Sequence, residues 1–348
     1  MCVIRGAVAQ VKDGLKRLVE TSPCLFDQAV EEWIVSPATR LRREAAVMLD
    51  NQMDRIRATE FAPLNVVVQG LRGVDDEYVG PTTARRFQGV RLCNGILRCG
   101  RARMHLEPRQ GRRAGQDGSD IELTGAIYDS WVGRKWFGNW LLDDCLTWML
   151  AEPYGAVTIA PTGSGHVPDY EVRLGLKSQR VRNAHFSELI LFDDLPNNPG
   201  KGERARALRE RLVKGQPGPD VPGVLIRRGV KGTRRVLTNE DDLADDLVRT
   251  CGFRVVEPEQ ATVDELVAAC SGARVIVGVE GSQLAHGLAV MPDHAALLTL
   301  QPPDRVTIAL KLMTDRRNQR FAAVIGERAE GGFTVPAADV RRTLDLLL

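Results

Sequence analysis

The chain has 348 residues, 43% of them hydrophobic, which is enough for two domains of ordinary size that each bury a core. Its 47 basic and 45 acidic residues nearly balance, so the overall charge does not favour nucleic acid as a partner. No apolar run approaches the roughly 20 residues of a membrane-spanning helix, and the first residues lack the pattern of a signal peptide. We therefore expect a cytoplasmic protein, which could still associate peripherally with a membrane.

The first half of the chain alternates between helix and strand patterns less regularly than the second. Apolar spacing after a Ser-Pro start at residue 36 predicts a helical N-terminal segment over residues 1–60. Charged and apolar residues alternate on both sides of Asn94-Gly95, which predicts a β-hairpin within 83–107. Further strands are predicted at 121–130, 155–161 and 185–194, and helices at 136–152 and 201–214.

The second half follows GQPGPDVPG (215–223), whose glycines and prolines predict a linker. Strands are then predicted at 224–228, 253–258, 273–278 and 295–301, and helices at 239–252, 262–272 and 282–291. We expect Asn239 to cap the first of these helices and Gly252 to end it. Such alternation predicts a parallel sheet with helices on both faces. A C-terminal helix is predicted within 331–348.

A basic turn, RRGVKGTRR (227–235), follows the first strand of the second half. It places Arg228, Lys231 and Arg235 among glycines that allow a close backbone approach. Guanidinium groups bind phosphate oxygens in pairs, and ligands bind at the carboxyl ends of parallel strands. The turn is therefore either an anion site or simply a solvated basic loop.

A second glycine-rich turn, VGVEGSQLAHGL (277–288), follows the third strand of that half. Gly281 and Ser282 open a helix, and free N–H groups at a helix N-terminus attract anions. Glu280 would repel such an anion unless its carboxylate points toward sugar hydroxyls or toward an arginine of the basic turn. The alternative interpretation is a salt bridge that only orders this turn. The glycines match neither a dinucleotide-binding fingerprint nor a Walker loop, so a dehydrogenase and a P-loop ATPase are not supported.

Taken together, these motifs resemble glycosyltransferase family 61. The resemblance lies in VLIRRGVKGTRRVLTNEDDL, CGFRVVEPE, ARVIVGVEGSQLAHGLAVMP and LLTLQPP, and in WFGNWLLDD of the first half. It covers about residues 120–305, and the order of the motifs is more specific than any one of them. Many family members have His at the position of Asn139. Many also have Pro-His-Gly-Ala where this chain has Val279-Glu280-Gly281-Ser282.

The resemblance implies an α/β, GT-B-like fold, with two Rossmann-like domains facing a cleft behind the helical N-terminal segment. Residues 61–214 would form the acceptor domain and residues 224–330 the nucleotide-sugar domain. The implied activity is inverting, metal-independent transfer of a hexosyl or pentosyl unit from a nucleotide sugar, without a cofactor. We expect a UDP-linked donor, a glycan or other hydroxyl acceptor and a role in surface polysaccharide synthesis; the oligomeric state stays open. The alternative, kept open by Asn139, is a non-catalytic sugar-nucleotide or glycan binding protein.

Inverting transfer needs a base, positive groups for the departing diphosphate and a cleft that aligns donor with acceptor. Asn139 and Asp143 lie one helical turn apart, so we predict that Asp143 is the base, with Glu280 as the second catalytic candidate. Asp129 and Asp144 are weaker candidates. The predicted donor-binding residues are Arg228, Lys231, Arg235, Gly278, Gly281, Ser282 and His286. The predicted acceptor-binding residues are Trp136, Asn139 and Trp140.

Overall fold

A computed structural model describes residues 24–107, 121–229 and 235–348 of the chain. These residues form two large sheets, one of eight strands and one of five, with helices packed around them. The predicted α/β class is confirmed, whereas the two-domain GT-B arrangement stays a prediction. Within the described ranges, no helix has the length and apolarity needed to cross a bilayer.

The elements are numbered in chain order. The strands are β1 (Glu31–Ser36), β2 (Thr39–Arg43), β3 (Val74–Val79), β4 (Thr82–Cys93), β5 (Ile96–Cys99), β6 (Ala102–His105), β7 (Ile121–Ile127), β8 (Ala156–Thr158), β9 (Gln179–Arg180), β10 (Asn183–Asp193), β11 (Val224–Ile226), β12 (Arg254–Val256), β13 (Val275–Val279), β14 (Ala296–Gln301), β15 (Arg320–Ile325), β16 (Glu327–Ala329) and β17 (Gly332–Thr334). The α-helices are α1 (Leu64–Arg72), α2 (Trp131–Lys135), α3 (Phe137–Asn139), α4 (Cys145–Ala151), α5 (Val167–Leu174), α6 (Pro199–Val213), α7 (Glu240–Cys251), α8 (Val263–Cys270), α9 (Ala285–Val290), α10 (Ala309–Asp315) and α11 (Ala337–Asp345).

The eight-stranded sheet of the first half is mixed, in the order β6-β5-β4-β10-β7-β8-β9 with β1 beside β4. The predicted hairpin is confirmed: Asn94 and Gly95, with φ of 49° and 74°, join β4 to β5. A turn this short returns the chain antiparallel. The long strand β10 also pairs antiparallel with β4 and parallel with β7. The first half therefore departs from the parallel sheet of a Rossmann-like unit.

A helical N-terminal segment was predicted over residues 1–60, and this prediction is wrong for residues 24–60. Residues 1–23 lie outside the described residues. Between 24 and 60 the chain forms β1, β2 and two short 3₁₀ turns. In β1, Glu31 lies opposite Arg86 of β4 and Glu32 lies opposite Arg85, and both pairs form salt bridges. These cross-strand partners stabilise an edge strand that the local apolar spacing did not reveal.

The sheet of the second half is wholly parallel, in the order β12-β11-β13-β14-β15, as predicted. In β11, Val224 and Ile226 pack into the core beneath α8 and α9, and Leu225 packs into the core beneath α7 and α11. This alternation covers both faces of the sheet with helices. Gly252 ends α7 with φ of 66°. The predicted cap Asn239 instead bonds the backbone of Val335, with its amide donating to the carbonyl at 2.8 Å.

The helical stretch of residues 131–151 connects the two halves and positions residues of the candidate site. A π-helical turn (Trp140–Asp144) joins α3 to α4. Leu141, Cys145 and Leu146 pack in the same core as α6, α8 and α9. The start of this stretch reaches the turn after β13, since a Cβ on Gly138 would lie 3.4 Å from the Ser282 Cα.

Candidate functional site

Three loops leave the carboxyl edge of the parallel sheet side by side. The loop after β11 begins with Arg227 and Arg228, the loop after β13 contains Glu280, and the loop after β14 contains Arg305. Ligands bind at this edge in open parallel sheets because the strand ends and their loops converge there. We define the strand-edge cluster as Arg228, Arg235, Glu280, Gln283 and Arg305.

Glu280 lies at the centre of the strand-edge cluster and is 5% exposed. Its Oε2 lies 2.9 Å from Arg235 Nη1 and 3.1 Å from Arg305 Nη1. Its backbone carbonyl accepts hydrogen bonds from Arg228 Nη1, at 3.2 Å, and from Arg235 Nη1. The carboxylate thus points toward an arginine of the basic turn, which was one of the orientations expected from the sequence. These contacts fit the prediction of a binding residue and also the alternative of an ordering salt bridge.

Arg228 and Arg235 of the predicted donor site converge on this turn. Arg228 Nη1 also donates to Gln283 Oε1 at 2.9 Å, and burial lowers the pKa of Arg228. The Arg235 side chain is 9% exposed, and burial lowers its pKa to about 10, so it remains charged at neutral pH. Its Nε atom is buried and has no hydrogen-bond partner within the described ranges. Lys231, the third predicted cation, lies outside the described residues.

The glycines of the turn matter because they leave room for neighbouring atoms, rather than as ligands of the donor. A Cβ on Gly281 would overlap Arg228 Nη1, so glycine lets the guanidinium approach the backbone. A Cβ on Gly278 would overlap the Ile226 carbonyl of β11, so this predicted donor-binding residue serves strand packing. Ser282 opens a 3₁₀ turn (Ser282–Leu284) before the six-residue α9, and not a long regular helix. The arginines therefore carry more of the anion-binding potential than the backbone N–H groups predicted for this role.

His286, predicted to bind the donor, is 3% exposed and faces the core. Its ring lies 4.7 Å from that of Phe137, and its Nδ1 is 2.8 Å from the Tyr170 hydroxyl. Burial lowers its pKa to about 3, so the imidazole is neutral. An enclosed neutral ring does not favour direct contact with a diphosphate, and donor binding by His286 stays a prediction. The sequence placed His286 on α9 correctly but could not show that all six residues of α9 are buried.

The predicted acceptor-binding residues differ in exposure. Trp140 is 8% exposed and its ring lies 5.9 Å from that of Phe137 in the core, which does not favour contact with an acceptor. Asn139 is partly exposed, but its Nδ2 donates to Asp143 Oδ2 at 2.8 Å. Trp136 is also partly exposed and lies at the start of α3. Of the three residues, Trp136 keeps a partly exposed ring, which contacts the rings of Phe61 and Trp131.

Asp143, the predicted base, lies in a second ion-pair network. Its Oδ1 is 2.6 Å from Arg316 Nη2, after α10, and 3.1 Å from Lys201 Nζ of α6. Burial alone would raise the pKa of Asp143, but the charges of Arg316 and Lys201 hold it well below its usual range. A general base works best with a pKa near the operating pH. The surroundings of Asp143 therefore favour a structural role.

Three further acidic residues are held by local hydrogen bonds. Asp129, 7% exposed, accepts hydrogen bonds from Thr158 Oγ1 at 2.8 Å and Ile159 N at 3.0 Å, and burial raises its pKa to about 6. Burial also raises the pKa of Asp144, which accepts from the backbone N–H and hydroxyl of Ser130. Glu240 Oε1 accepts from the backbone N–H of Arg228 at 3.2 Å, so it orders the start of the basic turn.

Arg305 and Gln283 belong to the strand-edge cluster but were not singled out from the sequence. Arg305 lies in the QPPDR segment after β14, the next strand of the sheet after β13. The rule that ligands bind at the carboxyl edge applies to this loop as much as to the other two. An arginine that closely follows two prolines after a predicted strand was the sequence signal that could have identified Arg305 as a site residue. No group of three or more His, Cys, Asp or Glu residues suited to a metal ion occurs in the described part of the chain.

Comparison with known families matches residues 137–298 to Glycosyltransferase 61. The resemblance to glycosyltransferase family 61 is confirmed. The matched range includes β11, β13, Arg228, Arg235 and Glu280, whereas Arg305 and the first 136 residues lie outside it. The match supports a transferase that takes a sugar donor and an acceptor. No curated protein matches the chain.

Proposed function

We propose that the chain is an inverting, metal-independent glycosyltransferase that moves a hexosyl or pentosyl unit from a UDP-linked sugar to a glycan or other hydroxyl acceptor. The family match supports the reaction class. One observation carries the donor assignment: Arg228, Arg235 and Arg305 converge on the turn after β13, at the edge where parallel sheets bind ligands.

The charge balance of the strand-edge cluster supports a diphosphate ligand. The guanidinium groups of Arg228, Arg235 and Arg305 lie around Glu280. Two further acids lie nearby: Glu60, 3.7 Å from Arg305 Nε, and Glu240, which accepts from the Arg228 backbone N–H. The buried, unpartnered Nε of Arg235 is costly to leave unsatisfied, by about 1–3 kcal/mol. Phosphate oxygens would accept from this donor, and in a partly buried site fixed cations stabilise the charge on a leaving diphosphate.

Glu280 would act in this proposal as a binding residue. Its carboxylate holds Arg235 and Arg305 in one orientation, so the guanidinium groups need not reorganise when the donor binds. We also propose a role in surface polysaccharide synthesis at the cytoplasmic face of a membrane. This part of the proposal is supported by the family resemblance alone.

A second function is favoured by the state of the two predicted catalytic carboxylates. Asp143 is paired with Arg316 and Lys201, and Glu280 is paired with Arg235 and Arg305. A carboxylate engaged by two cations accepts a proton less readily than a free one. A non-catalytic protein that binds a sugar nucleotide is therefore the alternative.

Thermal unfolding with UDP and a panel of nucleotide sugars tests the donor site, because a ligand that binds the folded chain raises its apparent stability. We expect UDP-linked sugars to raise the midpoint, and the variant Arg235→Lys to need more ligand for the same shift. A parallel assay of donor hydrolysis and transfer separates an enzyme from a binder. If no nucleotide sugar stabilises the chain and none is turned over, both proposed functions are wrong.

A further inference from the structure

Three aromatic side chains form a surface beside the strand-edge cluster, which we call the aromatic platform: Phe61, Trp131 and Trp136. The ring centroid of Trp136 lies 5.6 Å from that of Phe61 and 5.8 Å from that of Trp131. Phe61 is 59% exposed, Trp131 is 42% exposed and Trp136 is partly exposed. Contiguous exposed aromatic surface of this kind is typical of a binding site.

The backbone around Phe61 is fixed to the loop after β14. The backbone N–H of Arg57 donates to the Pro303 carbonyl at 2.7 Å, and that of Glu60 donates to the Val306 carbonyl at 2.9 Å. In return the N–H of Val306 donates to the Ala58 carbonyl at 3.0 Å. These bonds hold Phe61 at the same carboxyl edge of the parallel sheet as the proposed donor site.

Phe61 has a φ of 67°, in the left-handed region that bulky residues rarely adopt. The ring of Phe61 is also exposed, so burial of the side chain does not offset the backbone strain. Residues held in such conformations occur preferentially at ligand-binding and active sites. The backbone of Phe61 therefore points to a function that folding alone does not require.

Arg305 joins the platform to the strand-edge cluster. Its guanidinium carbon lies 5.3 Å from the Phe61 ring centroid, while its Nη1 contacts Glu280 Oε2 at 3.1 Å. Lys135 Nζ lies 4.4 Å from the Trp136 ring centroid at another part of the platform. The platform is thus an apolar surface bordered by charged hydrogen-bonding groups, and it adjoins the proposed diphosphate site.

We propose that the aromatic platform binds a pyranose ring of the acceptor saccharide. A pyranose presents an apolar face of C–H groups, which suits aromatic rings, and a rim of hydroxyls, which suits charged groups such as Lys135 and Arg305. The position next to the arginines would bring the acceptor hydroxyl toward the sugar of the donor. This assignment rests on the proposed glycosyltransferase function and adds Phe61 and Trp131 to the residues that contact substrate.

The test uses the full chain, labelled and applied to a microarray of pyranose oligosaccharides, followed by tryptophan-fluorescence titration with the saccharide that is retained best. We expect Trp131→Ala to weaken saccharide affinity about tenfold, since a stacked aromatic contact is lost. The variant Phe61→Gly should weaken affinity by a similar factor while leaving the midpoint of thermal unfolding unchanged or raised. Glycine adopts positive φ without strain, so stability and affinity should separate.

The matched control is Tyr154→Ala. Tyr154 is 41% exposed and contacts Trp33 and Phe192, away from the strand-edge cluster. It should leave saccharide affinity unchanged. Unchanged affinity in both Trp131→Ala and Phe61→Gly would overturn the platform, as would a wild-type chain that binds UDP but retains no saccharide. A wild-type chain that binds neither would overturn the proposed function as well.

Discussion

Two carboxylates of this protein are each held by two cations, yet their surroundings differ. Asp143 contacts Arg316 and Lys201, and Glu280 contacts Arg235 and Arg305. In the first network, Arg316 also donates to the Asn197 side chain at 2.7 Å and to the Leu142 carbonyl, and Lys201 donates to the Asp194 carbonyl at 2.6 Å.

The second network differs in one buried donor and in its neighbours. Arg235 has a buried Nε without a partner in the described part of the chain, and Arg228 contributes a third guanidinium. It also adjoins the strained, exposed Phe61 through Arg305. Ion pairing alone thus does not distinguish a structural carboxylate from one at a binding site. The unsatisfied Nε of Arg235, together with the adjoining exposed Phe61, is what points to a ligand beside Glu280.

The largest expected effect tests the structural side of this comparison. Asp143→Ala should lower the free energy of unfolding by about 3–5 kcal/mol, because it leaves the buried charges of Lys201 and Arg316 without their partner. The control Asp264→Ala removes an aspartate that also pairs with an arginine, Arg173, but is 80% exposed, so it should cost less than about 1 kcal/mol. Denaturant unfolding measures both; equal losses would remove the distinction.

Asp129 is a third buried carboxylate to set beside Asp143 and Glu280. It is held by hydrogen bonds from Thr158 and Ile159 instead of an ion pair. Burial raises its pKa from 3.8 to about 6, so the folded state binds its proton more tightly than the unfolded state. This group should therefore make the protein less stable as pH rises from about 4 to about 6, by up to about 3 kcal/mol.

Asp129→Asn, which cannot titrate, should remove that pH dependence. The measurement is the difference in unfolding free energy between wild type and variant at pH 4, 5, 6 and 7, where a constant offset from the altered hydrogen bonds is subtracted. A difference that does not vary over this window would show that folding does not raise the pKa of Asp129.

The binding side of the comparison is tested at Arg235. Arg235→Ala should weaken UDP binding by about 2 kcal/mol, or roughly thirtyfold, because a charge-assisted partner of the diphosphate is lost. Calorimetry on the folded fraction measures it, since Arg235 is buried and its removal also disturbs Glu280. Arg249→Ala, at a 75% exposed arginine paired with Asp246, should leave affinity unchanged. If Arg235→Ala binds UDP as wild type does, this network is structural too.

Steady-state kinetics of Glu280→Gln and Asp143→Asn compare the two carboxylates directly. Glu280→Gln should raise the donor KM severalfold with a modest loss of kcat, because Arg235 and Arg305 lose the charge that orients them. Asp143→Asn should keep kcat per folded molecule within a few-fold of wild type. A hundredfold loss of kcat in Asp143→Asn would restore it as the base, and the same loss in Glu280→Gln would make Glu280 the base.

The smallest expected effect is that of a chelator. If the arginines of the strand-edge cluster supply the positive charge for the leaving diphosphate, EDTA should leave turnover unchanged. Turnover that is lost in EDTA and restored by Mn²⁺ would show that a metal shares this role and that the arginines alone are not sufficient.

Much of the second half could be predicted because its signals are local. The alternation of apolar and polar segments gave the parallel sheet, and Gly252 ended its helix as expected. Thr262 and Glu265 form a capping box at the start of α8. The contact of Glu280 with an arginine of the basic turn was one of two orientations left open by the sequence, since loops after neighbouring parallel strands meet at one edge.

The sequence by itself determined the α/β class, the parallel sheet, the hairpin at Asn94-Gly95 and the resemblance to glycosyltransferase family 61, because each depends on periodicity, turn chemistry or motif order over short stretches. Only the tertiary structure decided which side chains are buried and which pairs form between distant residues. It paired Asp143 with Arg316, enclosed His286 and brought Phe61 to Arg305. Such contacts depend on packing between segments far apart in the chain, and no local pattern encodes which face of a helix meets which partner.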